Sequence, residues 1–241
     1  MIPLELIEQA KSAQVVTVLT GAGISAESGV PTFRGENGLW KKFRPQELAN
    51  FDAFMRNPEL VWEWYNYRRK IIEEISPNPG HFALVEMESY FPQFNLITQN
   101  VDGLHQRAGS RNVVELHGNI GRNRCVKCNR ISTENLSLNG QKVPTCECGG
   151  LLRPDVVWFG ELLPEDAIQK AFQASKSCDF FFSIGTSAVV YPAASLPEIA
   201  KQNGAFVVEI NLEPTPITSF ADISIRGKSG IVLPQIVKAL T

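Results

Sequence analysis

Apolar residues in this chain gather in short, dense runs set between longer mixed stretches, a pattern that separates strands from helices. Residues 4–12 carry their apolar positions at helical spacing and lead into Val15-Val16-Thr17-Val18-Leu19, a β-branched run that stops at Gly21-Ala22-Gly23. Such a run reads as a buried strand entering a tight turn. Similar runs recur at 94–98, 113–116, 180–184 and 205–210, with intervals long enough for crossover helices. The alternation predicts an α/β fold built on a Rossmann-like, doubly wound parallel sheet.

Two stretches break the rhythm. Residues 36–80 hold no strand-like run but carry Gln46-Glu47-Leu48-Ala49 and the aromatic segment Val61-Trp62-Glu63-Trp64-Tyr65-Asn66-Tyr67-Arg68-Arg69-Lys70, which reads as a helical insertion closed by Pro77-Asn78-Pro79-Gly80. Residues 121–150 are poor in large apolar side chains and contain four of the five cysteines, so they are expected to need a metal to stay folded. The expected division is therefore a sheet domain in three parts, 1–35, 81–120 and 151–241, interrupted by the insertion at 36–80 and the cysteine module at 121–150.

Composition narrows the classes. A 44% hydrophobic content over 241 residues supports a full core, and 23 basic against 25 acidic side chains give a net charge of -2. That balance argues against general binding to nucleic-acid phosphate or anionic lipid. No apolar run reaches the roughly 18 to 20 residues that span a bilayer, and MIPLELIEQAKSAQ lacks the features of a signal peptide. The expectation is a cytoplasmic protein with neither membrane nor direct nucleic-acid partners.

Gly21-Ala22-Gly23-Ile24-Ser25-Ala26 follows a strand and fits the G-x-G-x-x-G/A pattern, where absent side chains let backbone N–H groups approach a pyrophosphate. A tight turn without a ligand explains the same six residues. A dehydrogenase would need an acidic strand end about 20 residues further on, and Lys41-Lys42-Phe43-Arg44-Pro45 stands there instead. The following loop carries Phe33 and Arg34 at its tip. Ligands in open α/β sheets sit beyond the carboxyl ends of strands, and those ends read Thr98-Gln99-Asn100-Val101-Asp102, Glu115-Leu116-His117-Gly118-Asn119, Gly185-Thr186-Ser187 and Asn211-Leu212-Glu213. Of the three histidines, His117 holds the place suited to a general base; His105 and His81 read as helix residues, His105 structural and His81 at a helix start. No serine or cysteine sits in a nucleophile elbow.

Cys125-x2-Cys128, seventeen residues, then Cys146-x-Cys148 approaches the zinc-ribbon spacing with the second pair one residue short. Four thiolates leave no open coordination position, so one structural Zn(2+) per chain is expected, with Arg122, Arg124, Lys127, Arg130 and Lys142 balancing its charge. Cys178, beside the 180–182 apolar run, reads as a buried core thiol.

These motifs, with Gly29-Val30-Pro31-Thr32-Phe33-Arg34-Gly35, Val156-Val157-Trp158-Phe159-Gly160-Glu161 and Ile210-Asn211, resemble the sirtuin family over about 190 of 241 positions. The resemblance implies NAD-dependent removal of acyl groups from protein lysines, giving nicotinamide and O-acyl-ADP-ribose. It makes His117 the base toward the ribose hydroxyls, with Asn100 and Asp102 orienting the ribose and nicotinamide. The cofactor would be lined by Gly21, Ala22, Gly23, Ala26, Arg34 and Gln99, with Phe33 as a lid. Gly185, Thr186, Ser187, Asn211, Glu213 and Ser229 would take the adenosine half. An acylated-lysine peptide would lie extended between Phe159-Gly160-Glu161 and Val189-Val190-Tyr191 as an added strand. Tyr65 and Arg68, three apart on one helix face, match the desuccinylase and demalonylase branch, where they grip an acyl carboxylate, and Ala49 would leave room for the longer chain. Tyr65 packing in the insertion and Arg68 pairing with Glu73 or Glu74 is the plainer reading of the same residues. The competing functions are a mono-ADP-ribosyltransferase using the same NAD site and a zinc-ribbon module for nucleic acid, which lacks the interleaved aromatics that such binding uses.

Overall fold

The computed structural model describes residues 2–32, 48–134 and 143–241. Six strands, β1 (Val15–Thr20), β2 (Gln93–Thr98), β3 (Val113–Glu115), and, later in the chain, β7 (Phe180–Ile184), β8 (Phe206–Asn211) and β9 (Ile223–Arg226), form one sheet in the order β3-β2-β1-β7-β8-β9. Every adjacent pair is parallel. Burial on both faces explains why the central strands read as unbroken apolar runs. Phe180 and Phe182 join Val16, Val18 and Val208 under α1 (Leu4–Ser12), α5 (Pro79–Tyr90) and α9 (Ser229–Leu240). Phe181, Leu19, Ile97 and Val207 face the other way, toward α7 (Glu165–Ser177) and α8 (Leu196–Gln202).

The order runs outward from β1 in one direction through β2 and β3, then in the other from β7. The carboxyl ends of β1 and β7 therefore bound the crevice where such sheets take their ligands. Directly after β1 comes α2 (Ala22–Ala26), and the segment 99–103 leads from β2 into α6 (Leu104–Ala108).

A second, antiparallel sheet, β5-β4-β6, consists of β4 (Gly118–Cys125), β5 (Ile131–Ser132) and β6 (Leu152–Val156). It extends beyond both ends of 121–150. Its inner end shares a core with α3 (Phe51–Arg56) and α4 (Pro58–Glu74), where Phe54, Trp62, Tyr65, Ile120, Val156 and Trp158 are buried together. Apolar packing thus supplements whatever a metal contributes there. The Arg69 guanidinium ties the two parts, donating to the Ile120 carbonyl at 2.7 Å and to Asn123 Oδ1 at 2.8 Å. Helix α4 begins with Asn57 as its N-cap, whose side-chain oxygen accepts the Leu60 N–H, followed by Pro58, and the Pro77–Gly80 cluster becomes the start of α5, with Asn78 as the N-cap and its backbone N–H donating to His81 Nδ1.

Candidate active site

The turn after β1 packs directly against the end of β7. Gly21 N–H donates to the Ile184 carbonyl at 3.0 Å and Gly23 N–H to the Gly185 carbonyl at 2.8 Å. A Cβ on Gly23 would lie 2.6 Å from Gly185 Cα, so glycine at 23 is demanded by this backbone contact as well as by any ligand. Two of the turn's N–H groups are thereby committed to the protein itself. Phe33, Arg34, Lys142 and the Gln46-Glu47 part of the insertion lie outside the described residues.

The strand ends meet here. Gln99 donates its backbone N–H to Thr20 and its side-chain amide to Thr186 Oγ1 at 2.9 Å, bridging β2 to the segment after β7. Asn211, at the end of β8, donates to the carbonyls of Thr186 and Glu213. Gly185 is half-buried, whereas Ser187, Glu213 and Ala26 are exposed at the rim. Ser229 is buried at the start of α9, and its hydroxyl donates to Glu27 at 3.3 Å.

Asn100 and Asp102 are buried and share a partner the sequence reading gave no role, Ser25. Asn100 Nδ2 donates to the Gly21 carbonyl at 3.0 Å and to Ser25 Oγ at 3.1 Å. His81 Nδ1 accepts the Asn78 N–H, which leaves the ring proton on Nε2, 3.5 Å from Ser25 Oγ. With amide and imidazole both donating to it, the Ser25 hydroxyl keeps its own proton to give, and Asp102 is the carboxylate on which Ser25 acts. Asp102 also accepts the Leu104 N–H at 2.9 Å. Burial nevertheless raises the Asp102 carboxyl above its ordinary range. Ser25 belongs to the Gly21–Ala26 motif, but nothing in its local spacing assigns it a role of its own.

His117 follows β3, half-buried, with Nδ1 2.9 Å from the Gln99 carbonyl. A carbonyl only accepts, so Nδ1 carries the proton and the basic lone pair falls on Nε2. Burial lowers the imidazole below its usual value, which outweighs the opposing Gln99 bond and keeps the ring neutral near pH 7. Gly118 holds this geometry at φ +78: a Cβ there would stand 2.1 Å from the Asp155 carbonyl oxygen. His105 is buried beneath the strand ends, with Nε2 2.9 Å from Thr20 Oγ1 and its ring centre 4.9 Å from that of His81.

On α4 the Tyr65 and Arg68 side chains are both buried. The Arg68 guanidinium lies 4.9 Å from the Trp64 ring centre and 5.7 Å from that of Tyr65. Among the described residues Asp102 is a charged neighbour of Arg68, while Glu73 acts on Arg69. Ala49 is buried, and its carbonyl accepts the Phe159 N–H at 3.0 Å. Phe159, Val189 and Tyr191 are exposed. The Glu161 carboxylate is held by Arg153 and by the Trp158 N–H.

The four paired cysteines converge at the outer end of the small sheet. Their sulfurs lie within 4.8 Å of one another, with Cys125 to Cys148 at 3.4 Å and Cys128 to Cys146 at 3.8 Å. These separations are too long for disulfides and near the ~3.8 Å between sulfurs around tetrahedral zinc with Zn–S bonds of about 2.3 Å. The donor set fits Zn(2+) with no position left for a substrate. The expected charge balance differs in detail: Arg122 and Arg124 turn away from the thiols to pair with the buried Asp155, and Arg122 also with Glu115. Lys127 and Arg130 remain beside the cysteines, Arg130 also paired with Glu147. Cys178 is buried, and burial pushes its thiol up to about 11.

The Sir2 family pattern matches residues 21–192. An NAD-dependent protein deacylase of Aquifex aeolicus (strain VF5) is 57% identical over 222 residues, covering 92% of this chain and 93% of its own. A crystal structure described as a Sir2 homolog–NAD complex superposes with a TM-score of 0.94 at 47% identity, covering all of this chain and 94% of the other. A Sir2 variant holding a deacetylated p53 peptide and 3'-O-acetyl ADP-ribose superposes at 0.89 with 36% identity, over 99% and 98% of the two chains. On the extent and level of this similarity, the chain belongs to the Sir2 family.

Proposed function

We propose that this chain removes acyl groups from protein lysines at the expense of NAD, with His117 as the base. The reading rests above all on one observation: an imidazole whose Nδ1 is fixed on the Gln99 carbonyl, at the sheet's switch point and on the same strand-end surface as Asn100 and Asp102. NAD, as the second substrate, supplies the ribose carbon to which the acyl oxygen bonds as nicotinamide leaves. The chain's part is to orient and to move a proton. The Gly21-Ala22-Gly23 turn and Gln99 face the dinucleotide, Asn100 and Asp102 orient its ribose and nicotinamide, and Gly185, Thr186, Ser187, Asn211, Glu213 and Ser229 take the adenosine half. His117 Nε2 then accepts the ribose hydroxyl proton.

The acylated lysine peptide lies extended between Phe159-Gly160-Glu161 and Val189-Val190-Tyr191, held by main-chain hydrogen bonds. Tyr65 and Arg68 receive a terminal carboxylate on the acyl chain, with Ala49 leaving space, which makes succinyl- and malonyl-lysine substrates beside acetyl-lysine. Support for this comes from the burial of both side chains and from the planar fork of arginine, which suits a carboxylate. Cys125, Cys128, Cys146 and Cys148 hold a structural Zn(2+), and a reducing compartment such as the cytoplasm suits four thiols kept out of disulfides.

A panel of one peptide carrying acetyl, succinyl or malonyl lysine, with and without NAD and read by mass, tests the assignment. Loss of the acyl mass only with NAD, accompanied by O-acyl-ADP-ribose, is expected. A gain of one ADP-ribose on protein with the acyl group left in place would instead establish the mono-ADP-ribosyltransferase.

A further inference from the structure

We propose that Trp158 is a positioning residue for acyl-group selection, its indole N–H fixing the direction in which the Tyr65 hydroxyl donates. The inference rests on the reading that Tyr65 and Arg68 receive an acyl carboxylate, and concerns a residue 93 positions away in sequence.

Trp158 Nε1 lies 2.7 Å from the Tyr65 hydroxyl oxygen. An indole N–H can only donate, so the tyrosine oxygen accepts and its own proton must point elsewhere. Burial raises Tyr65 above its ordinary value, so the phenol stays protonated and keeps that proton to give. Among the described residues no acceptor takes it. Conjugation holds a phenol O–H near the ring plane, on one side or the other; with the indole occupying one side, the proton is left on the opposite one. Arg68, whose guanidinium stands 5.7 Å from the Tyr65 ring centre, supplies a cation on the same helix. A neutral donor with a fixed direction and a nearby cation suit a carboxylate, whereas a terminal methyl gains nothing from either.

Trp158 is itself held at every side. Its backbone N–H donates to Glu161 at 2.8 Å, and the Arg153 guanidinium lies 3.4 Å from its ring centre. Arg153 is in turn bridged to Glu161, and the Phe54 ring packs at 5.4 Å. An indole this constrained holds the N–H direction steady, and it does so next to the segment expected to pair with the peptide.

Trp158→Phe keeps an aromatic ring over Arg153 and deletes the N–H. Steady-state kinetics on succinyl- and acetyl-peptides should show the ratio of desuccinylation to deacetylation kcat/KM falling about fivefold, the size of one neutral hydrogen bond, through a higher KM for the succinyl peptide. In a Tyr65→Phe background the same substitution should have no further effect on the ratio. Replacing Trp158 by benzothienylalanine, which exchanges only N–H for sulfur, repeats the test if the phenylalanine variant folds poorly. If Tyr65→Phe lowers the ratio while the Trp158 variants leave it unchanged, or weaken both substrates equally, the positioning role is overturned and the carboxylate reading stands. If Tyr65→Phe leaves the ratio unchanged, the carboxylate reading falls, and this inference with it.

Discussion

The proposed selection among acyl groups turns on Arg68. A buried guanidinium is costly unless something anionic or aromatic faces it, and burial does lower its pKa, with Tyr65 and Asp102 acting in the opposite sense. Replacing it by methionine keeps volume and removes the cation. Arg68→Met is therefore expected to lose at least about tenfold more desuccinylation than deacetylation, since a charge-assisted hydrogen bond contributes ~1.5 to 3 kcal/mol. Parallel kcat/KM values on the two peptides check this, and equal losses would contradict it. Single residues were unequally legible in the sequence. Asn100, Asp102 and His117 announce themselves as polar groups at the ends of apolar runs. Ser25, His81 and Trp158 do not, because their partners lie 56 to 93 residues away and no local spacing encodes such pairs.

Among the elements, the parallel strands were readable because burial on both faces leaves them almost uniformly apolar. The small antiparallel sheet was not. Its long strand, Gly118–Cys125, is mostly polar, and its buried Asn123 is satisfied by Arg69 and the Glu134 carbonyl rather than by apolar neighbours. β9 is a four-residue edge strand of alternating exposure, too short to stand out. The small sheet has two different supports: an apolar core shared with α3 and α4 at one end, and four thiols at the other. Zinc removal by a strong chelator should therefore open only the outer end. Hydrogen exchange should quicken at 125–132 and 145–151, while β1 and β7 stay protected. Uniform quickening across both sheets would show that the metal holds the whole fold.

Taken as a whole, the molecule buries His81 and His105 and half-buries His117, and burial depresses all three pKa values: His81 to about 4, His105 to about 3, and His117 below its usual value. The unfolded chain takes up protons near pH 6.5 where the folded chain does not, so stability is lost as pH falls from there toward 4 and 3. Asp102, with its carboxyl raised, opposes this in sign. Between pH 7 and 5 each of His81 and His105 should cost about 2 kcal/mol, and urea unfolding at the two pH values measures the sum. Equal or greater stability at pH 5 would contradict the neutral assignment. Activity should fall on the acid side for the related reason that a protonated His117 no longer accepts a proton.

The most direct test of the catalytic claim follows the acyl group itself. With succinyl-peptide and NAD, mass spectrometry should find nicotinamide and O-succinyl-ADP-ribose formed in equal amounts by the native chain. With His117→Ala the O-succinyl-ADP-ribose should disappear, and multiple-turnover nicotinamide release with it, while zinc content and thermal unfolding stay as they were. Undiminished product from the variant, or free succinate released without consumption of NAD, would contradict the account.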